Sequence, residues 1–514
     1  MSASKRLLSL RHIGTNSFWT LLSRLTGVVK QMMFTYLFGS SGDTFWAAFR
    51  LVNAFRRYIG EGGALGSAFV PVFQQVRQQE GEESAKAFAY RLMTVFLFFT
   101  IGLVVLLSIF AFWYGPWLAP GFSRERMREY ILLMIVMMPY IPVVNWYAFR
   151  MGILNSFHFF GSSAAGPVLF NVVFIGLPLF FAGSVGIYVS AFSVVIGALG
   201  MVALQYFDMR RVGYAFRLVW HRHPAEGKFW GLFWPTAANM IALTGKNFLA
   251  TWFLSFFVGG YVAYMNAFTV VSAPLGFIAI AVGTVMMPLL SRFREKGSKE
   301  EFSQAVEEGL LFLLYWTLPF MVYMVVLPET VNRVLFSDIF VALVGRSGSM
   351  TNELLILSHA VLRIFALSLL PMSAAVVFEK IFYATHDAKT PLRSSLLTLF
   401  LCGGLYFLAF IPAMGVKGVI LAETISSYVV MVYYLVRIKR GLVESRVWKK
   451  VAGRGVFWLG LSVTLGWLVR FVYDWLEPMV GRGWLYIFFS GGLFVVFVVL
   501  YYLLTELFGV GFRR

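Results

Sequence analysis

The chain returns again and again to uninterrupted apolar runs of roughly 17–25 residues, the length a helix needs to cross a bilayer. In hydrocarbon every backbone N–H and C=O must be satisfied internally, so a spanning segment is a helix or part of a closed barrel. These runs are continuous and do not alternate, so they read as helices. Only 13% of the 514 residues are charged and 59% are hydrophobic, against about 25% charged in soluble domains. With a mean hydropathy of +0.76, the expected fold is an all-α polytopic membrane protein. About fourteen spans are expected, near 13–38, 44–76, 88–113, 130–156, 163–183, 185–207, 229–258, 261–291, 306–327, 355–384, 391–411, 416–437, 452–473 and 484–507.

The loops between spans alternate in character. One set carries Lys5/Arg6/Arg11, Arg77/Lys86/Arg91, Arg210 through Lys228, Arg292 through Lys299, Lys389/Arg393 and Arg437 through Arg454. The other set is poor in Lys and Arg, with Arg124/Arg126/Arg128 as its main exception. Basic loops stay on the cytoplasmic side, which places both termini there. The net charge of +19 is therefore topological and points to no nucleic-acid partner. Met1 to Arg11 is short, polar and followed by a full-length span, so no cleavable signal peptide is expected. The single cysteine, Cys402, excludes a disulfide framework and a cysteine-based metal site, and the six histidines lack ligand spacing.

A repeat runs through the chain. Leu25-Thr26-Gly27 corresponds to Leu243-Thr244-Gly245, Phe49 to Phe268, and Phe69-Val70-Pro71-Val72-Phe73 to Met286-Met287-Pro288-Leu289-Leu290, at an offset of about 218 residues. Six spans separate the copies, so both have the same orientation. The pattern predicts two six-helix lobes, 1–222 (spans 1–6) and 223–440 (spans 7–12), around a central cationic cavity. Spans 13 and 14, in 441–514, stand outside the repeat.

Cations lie inside these spans. Arg24 and Lys30 fall in the first, Arg56 and Arg57 in the second and Lys246 in the seventh. A cation inside a membrane helix costs several kcal/mol and persists where it faces a polar cavity or a partner. Arginine's planar fork suits bidentate phosphate recognition, and lysine supplies a point charge. A cluster of this size fits a pyrophosphate better than one small carboxylate.

Bland readings stand beside these. Arg24 could pair with Glu61 or with helix carbonyls. Arg56 and Arg57 point about 100° apart, so only one faces the cavity squarely. Glu61 could balance the arginines rather than act as an acid or base. Arg150, Arg363 and Glu379/Lys380 lie toward span ends, where they snorkel or pair locally. The Gly60-to-Gly66 run lacks a Gly-Lys-Ser/Thr ending and reads as a bend in the second span.

Ser23-Arg24-Leu25-x-Gly27, Leu37-Phe38-Gly39, Asp43, Phe49-Arg50-Leu51-x-Asn53, Arg56-Arg57, Glu61-Gly62 and Ala68-Phe69-Val70-Pro71 together resemble the MurJ (MviN) family of lipid II flippases, in the MOP exporter superfamily. Phe382-Tyr383-Ala384-x-x-Asp387-x-Lys389-Thr390-Pro391 and Pro167 with Asn171 support the match. The resemblance implies transfer of a lipid-linked peptidoglycan precursor across the bacterial inner membrane by alternating access, without a cofactor. Its partners would be lipid II and the bilayer, with a monomer and contact with the cell-wall synthesis machinery expected. Carried over, Arg24, Arg56 and Lys30 are cavity cations, Ser23 and Asn53 lie beside them, and Asp43 is the family's loop aspartate.

Two departures are visible. The family's eighth-span arginine falls on Thr269, in Asn266 through Pro274, which holds no cation. Lys246 is the candidate replacement. The family's sodium site draws on acid and amide groups in spans 7, 11 and 12, but 396–407 carries no Asp, Glu or Asn and Glu423 stands alone in span 12. No sodium dependence of that kind is expected, which leaves membrane potential to drive a charged head group. Alternatives are another MOP transporter, either an undecaprenyl-linked oligosaccharide flippase or, less well supported by an arginine-lined cavity, a drug/cation antiporter. An enzyme acting on polyprenyl phosphates would need a metal cluster or His/Asp pair that the chain does not display.

Overall fold

A computed structural model describes residues 3–59, 64–345, 347–387, 389–439, 442–481 and 483–511, with the side chains of 3–17, 57–59, 239, 242 and 243 not described. Glu61 lies outside the described residues, as does the side chain of Arg57. Helices account for nearly all of the described chain, and no strand occurs among the described residues. Ten helices are long and apolar enough to cross a membrane, or eleven if the bent pair Asn352–Ala366 and Leu369–Ala384 is one span. The expected count of fourteen is therefore not confirmed. The long helices outside this set include those carrying Arg24, Lys30, Arg50, Arg56 and Lys246, the segments in which cations dilute the apolar run.

The chain divides into two units, Met1–Val258 and Gly259–Arg514. The first contains α1 (Ala3–Phe38), α2 (Gly42–Ile59), α3 (Ala64–Gln79), α4 (Glu82–Ile109), α5 (Arg124–Ser156), α6 (Gly161–Val185), α7 (Tyr188–Arg211) and α8 (Glu226–Leu254). The seventh expected span, α8, thus packs with the first unit. Phe229 and Phe233 of α8 enter a buried core with Phe69 and Phe73 of α3, Phe88 and Phe96 of α4 and Phe149 of α5. At the same end, Glu226 Oε1 accepts from Arg91 Nε at 3.0 Å and from the His223 backbone N–H at 2.7 Å. Apolar burial and a half-enclosed ion pair together tie α8 down.

Two threonines at corresponding positions of the sequence repeat make similar local bonds. Thr26 Oγ1 donates to the Leu22 and Ser23 carbonyls at 2.9 and 3.1 Å. Thr244 Oγ1 donates to the Met240 and Ile241 carbonyls at 2.8 and 3.3 Å. Back-bonding of this kind competes with the helix's own ladder, and it falls at matching positions of α1 and α8.

The second unit contains α9 (Gly260–Glu295), α10 (Lys299–Val326), α11 (Asn352–Ala366), α12 (Leu369–Ala384), α13 (Lys389–Phe410), α14 (Val416–Lys439), α15 (Ser445–Met479) and α16 (Trp484–Leu507). The two helices beyond the repeat, α15 and α16, are bound to this unit. Tyr315 of α10 shares a hydrogen bond with Thr505 of α16 at 2.9 Å, and Tyr501 Oη donates to the Tyr315 carbonyl at 3.0 Å. Short helical pieces after α10 carry Glu329 and Arg333. Glu329 accepts from Arg363 at 2.8 Å and from Arg470 at 3.0 Å, and Arg333 donates to Glu477 at 2.8 Å. The segment after 327 is thus the clasp that holds α15.

The Asp387-x-Lys389-Thr390-Pro391 motif is a helix cap. Asp387 Oδ1 accepts from the Lys389 and Thr390 backbone N–H groups at 3.0 Å each, and Oδ2 from the Thr390 hydroxyl at 2.6 Å. Partial burial works to raise the pKa of this carboxyl, but those donors outweigh it and hold it below its usual value.

Large apolar side chains such as Trp117, Phe180, Phe207, Phe400 and Phe471 are exposed on the units, as lipid contact requires. One close approach within the second unit is testable. A Cβ on Gly418 of α14 would lie 2.6 Å from the backbone of Leu408 and Ala409. Gly418→Ala is expected to destabilise the protein by about 2 kcal/mol, since overpacking against backbone cannot relax through a rotamer. A thermal melt of the protein in nanodiscs reads this, and an unchanged midpoint would refute the close packing.

Candidate functional site

Arg24, Lys30, Arg50, Arg56 and Lys246 lie on three helices of the first unit, α1, α2 and α8. On α1, Arg24 is half-buried, and among the described residues no acid forms an ion pair with it. Its helix is fixed from the side by α6. The buried Asn171 amide donates to the Ser23 carbonyl and to Thr26 Oγ1, each at 3.0 Å. A Cβ on Gly27 would stand 3.8 Å from Asn171 Nδ2, in ordinary van der Waals contact, so this face of α1 lies close against the amide. Ser23 thus contributes its backbone to a contact that sets the position of Arg24. The Asn171 noted in the sequence has a physical role.

Lys30, two turns further along α1, is surrounded by rings. Its ammonium lies 5.4 Å from the Phe174 centroid, 5.7 Å from Phe170 and 5.9 Å from Phe49. Each such contact contributes about 0.5–2 kcal/mol, more where water is excluded. The cage explains how a lysine is accommodated in this part of α1. It also lies near enough to Arg56 for the two cations to repel.

On α2, Asn53 and Arg56 flank Tyr140 of α5. The Tyr140 hydroxyl donates to Asn53 Oδ1 at 3.4 Å and accepts from the Arg56 guanidinium. Arg50, on the same helix, donates to Asn247 Oδ1 of α8 at 2.7 Å. That bond holds α8 against α2 next to Lys246, which is half-buried. Neither Arg50–Asn247 nor Tyr140 was singled out as part of a site in the sequence, because nothing in residue order brings α2 to α5 or α8.

Asp43 opens α2 and is 1% exposed. Arg126 Nη2 donates to Asp43 Oδ2 and to the Ser40 carbonyl, both at 3.0 Å. Arg126 is one of the three arginines of the Arg124/Arg126/Arg128 cluster, and this one has a buried acidic partner. Thr269 of α9, in the second unit, is half-buried, and its carbonyl accepts from Ser272. Among the described residues no group of three or more His, Cys, Asp or Glu could hold a metal ion.

The architecture has known counterparts. A solved structure titled lipid II flippase MurJ, inward closed conformation, superposes with a TM-score of 0.75 over 95% of this chain and 98% of its own, at 20% identity. An inward-facing multidrug resistance MATE transporter of the MOP superfamily gives 0.67 over 83% of this chain and 96% of its own, at 13% identity. The chain therefore shares the polytopic all-helical fold of these two structures. The family model described as lipid II flippase MurJ matches residues 34–481. A Rhizobium tropici protein named as a probable lipid II flippase MurJ is 28% identical over 90% of this chain and 87% of its own length. The lipid II flippase MurJ of Burkholderia cenocepacia is 25% identical over 80% of each chain. The chain belongs to the lipid II flippase MurJ family.

Proposed function

We propose that this protein flips lipid II from the inner to the outer leaflet of a bacterial cytoplasmic membrane by alternating access. In this reading Arg24, Lys30, Arg56 and Lys246 hold the pyrophosphate. The observation that carries it is Arg24: a guanidinium at membrane depth, positioned through Asn171 and, among the described residues, without an acidic ion-pair partner. Ser23 and Asn53 orient neighbouring polar groups. Asp43, Glu61 and Arg57 balance charge or take part in conformational change. The reading takes both termini as cytoplasmic and the protein as a transporter with no catalytic chemistry, acting as a monomer near the cell-wall synthesis machinery. It also treats α8 as the first helix of the second repeat, with 1–222 and 223–440 as lobes and 441–514 as an addition.

The test is rescue of a bacterium depleted of its own lipid II flippase, scored by lipid II in the outer leaflet as well as by growth. Restored delivery supports the reading, and failure of a correctly inserted protein rejects it. Thr269 favours one second reading, an oligosaccharide on the same undecaprenyl pyrophosphate carrier, because the family's eighth-span arginine is missing. Within this assay Lys246 tests whether that arginine has been replaced. Lys246→Ala is expected to lower lipid II delivery about tenfold, the loss of one partly solvated charge contact. Full activity would show that Lys246 does not replace that arginine.

A further inference from the structure

Residues 212–225 run between α7 and α8 without helical structure, climbing along α4 and returning. The buried Tyr214 ring lies 5.8 Å from Phe73 and 6.1 Å from Tyr90, and the Phe216 ring lies 4.4 Å from Trp146. The Val219 N–H then donates to the buried Thr94 Oγ1 at 3.1 Å, and Trp220 packs on Phe98 at 5.0 Å. The chain comes back to the start of α4 at His223, whose ring lies 5.3 Å from Phe88 and hydrogen-bonds Ser84 at 2.9 Å.

The tip of this excursion has a mixed surface. Leu218 and Trp220 are more than half exposed, beside the exposed Phe98 and Phe99 of α4. Arg217 and Arg222 flank them and are also exposed. The acids of the adjoining helix ends are engaged elsewhere: Glu82 with Arg77, Glu83 with Lys86, Glu226 with Arg91 and Asp208 with Arg211. Among the described residues neither Arg217 nor Arg222 forms an ion pair with an acid.

Two constraints fix the depth of the tip. Arg91 is the last charged residue of α4, which continues without another to Ile109. At about 1.5 Å per residue, Thr94 lies about 5 Å and Phe98 about 10 Å beyond it. Trp220, packed on Phe98, therefore stands where the uncharged part of α4 has begun. Trp230, stacked on Phe96 at 5.6 Å, and the exposed Trp234 mark an interfacial aromatic belt on the same side of the bilayer. The backbone sets the opposite limit. In residues 215–222 the Val219 N–H is the one main-chain group with a protein partner among the described residues. The other amides and carbonyls need water or head groups, so this segment cannot lie in hydrocarbon. Apolar side chains that pass the last charge, on a backbone that must stay wet, belong at the boundary between head groups and acyl chains.

We propose that residues 212–225 form an interfacial wedge that docks on anionic phospholipid. Leu218 and Trp220 enter the acyl boundary, and Arg217 and Arg222 take the lipid phosphates. A cytosolic protein partner would leave Trp220 in water, away from the level that its packing on Phe98 dictates. Placing the wedge on the cytoplasmic leaflet rests on the reading of both termini as cytoplasmic, but the lipid contact does not. Because Val219 is tied to α4, the wedge anchors the first unit to the bilayer surface at the approach to α8.

The tests use the full chain with Cys402→Ala, which removes the single native cysteine. A nitroxide at Trp220→Cys in nanodiscs should be reached by oxygen more than by a water-soluble nickel chelate. One at Lys296→Cys, exposed in the basic loop before α10, should show the reverse. Native mass spectrometry of the detergent-solubilised protein with short-chain phosphatidylglycerol should show bound lipid. Arg217→Ala and Arg222→Ala should each weaken that binding about fivefold, while phosphatidylcholine binds all the variants alike. Both arginines are exposed, so the thermal midpoint should not move. Nickel-dominated access at Trp220→Cys, or phosphatidylglycerol binding unchanged in the double variant, would overturn the proposal. So would loss of undecaprenyl pyrophosphate binding in place of phosphatidylglycerol binding, which would assign the arginines to the cargo. A membrane-impermeant maleimide reports the side, since Arg222→Cys should react only after spheroplasts are opened. Reaction in intact spheroplasts would overturn the topology reading and the leaflet, while the two lipid readouts would still decide the contact.

Discussion

Arg24→Ala is expected to abolish measurable lipid II delivery while leaving the protein folded and inserted. The guanidinium is half-buried and has no acidic ion-pair partner among the described residues, so truncation orphans no buried carboxylate among them. Its loss should therefore be felt in binding. A charge-assisted, bidentate contact to a pyrophosphate in a partly desolvated site is worth about 3 kcal/mol, or about 100-fold in affinity. Arg24→Lys keeps the charge and loses the fork, so an intermediate loss of about tenfold is expected. The measurement is outer-leaflet lipid II in the depleted strain, with protein level and thermal midpoint as controls. Alanine activity equal to wild type would remove Arg24 from the site. A collapse of the thermal midpoint would reassign it to a structural role.

Arg126→Ala should do the opposite, harming the fold more than the chemistry. It takes the guanidinium away from Asp43, a carboxylate that is 1% exposed, while Arg126 itself is 22% exposed. Breaking a buried pair from one side typically costs 3–5 kcal/mol, because the remaining charge stays desolvated. With one partner at the rim, about 3 kcal/mol is expected, read as a lowered thermal midpoint in nanodiscs. Asp43→Asn in the same protein should restore much of the loss, since an amide needs no counter-charge. If the double variant were as unstable as Arg126→Ala alone, the pair would not be the cause. The comparison also shows why position in the sequence is a poor guide to role. Arg24 and Arg126 are both arginines at odds with their surroundings, and only their partners distinguish them.

The capping role of Asp387 and the back-bonds of Thr26 and Thr244 are legible in the sequence, because each joins residues within a turn of each other. The cage around Lys30 is not. Phe49 is on α2 and Phe170 and Phe174 are on α6, and no periodicity in either helix reveals that their rings converge on one ammonium. The same holds for Arg50 with Asn247, and for the clasp of Glu329, Arg363 and Arg470 that binds α15. Glu423 was visible as a lone acid in an apolar helix, but its two tyrosine donors, Tyr264 and Tyr406, were not.

The sequence by itself determined that this chain is a helical membrane protein, where its cations lie along the helices, and which family's motifs it carries. These properties follow from hydropathy, loop charge and local spacing, all of which act over a helix or less. Tertiary structure alone decided that α8 packs with the first unit, that Lys30 is caged and that Glu423 has two hydroxyl donors and no cationic partner among the described residues. Those outcomes depend on which helix faces are brought together. In a chain whose segments are nearly all apolar enough to pack against any neighbour, that choice rests on side-chain shape and on a few buried polar contacts, which hydropathy does not encode.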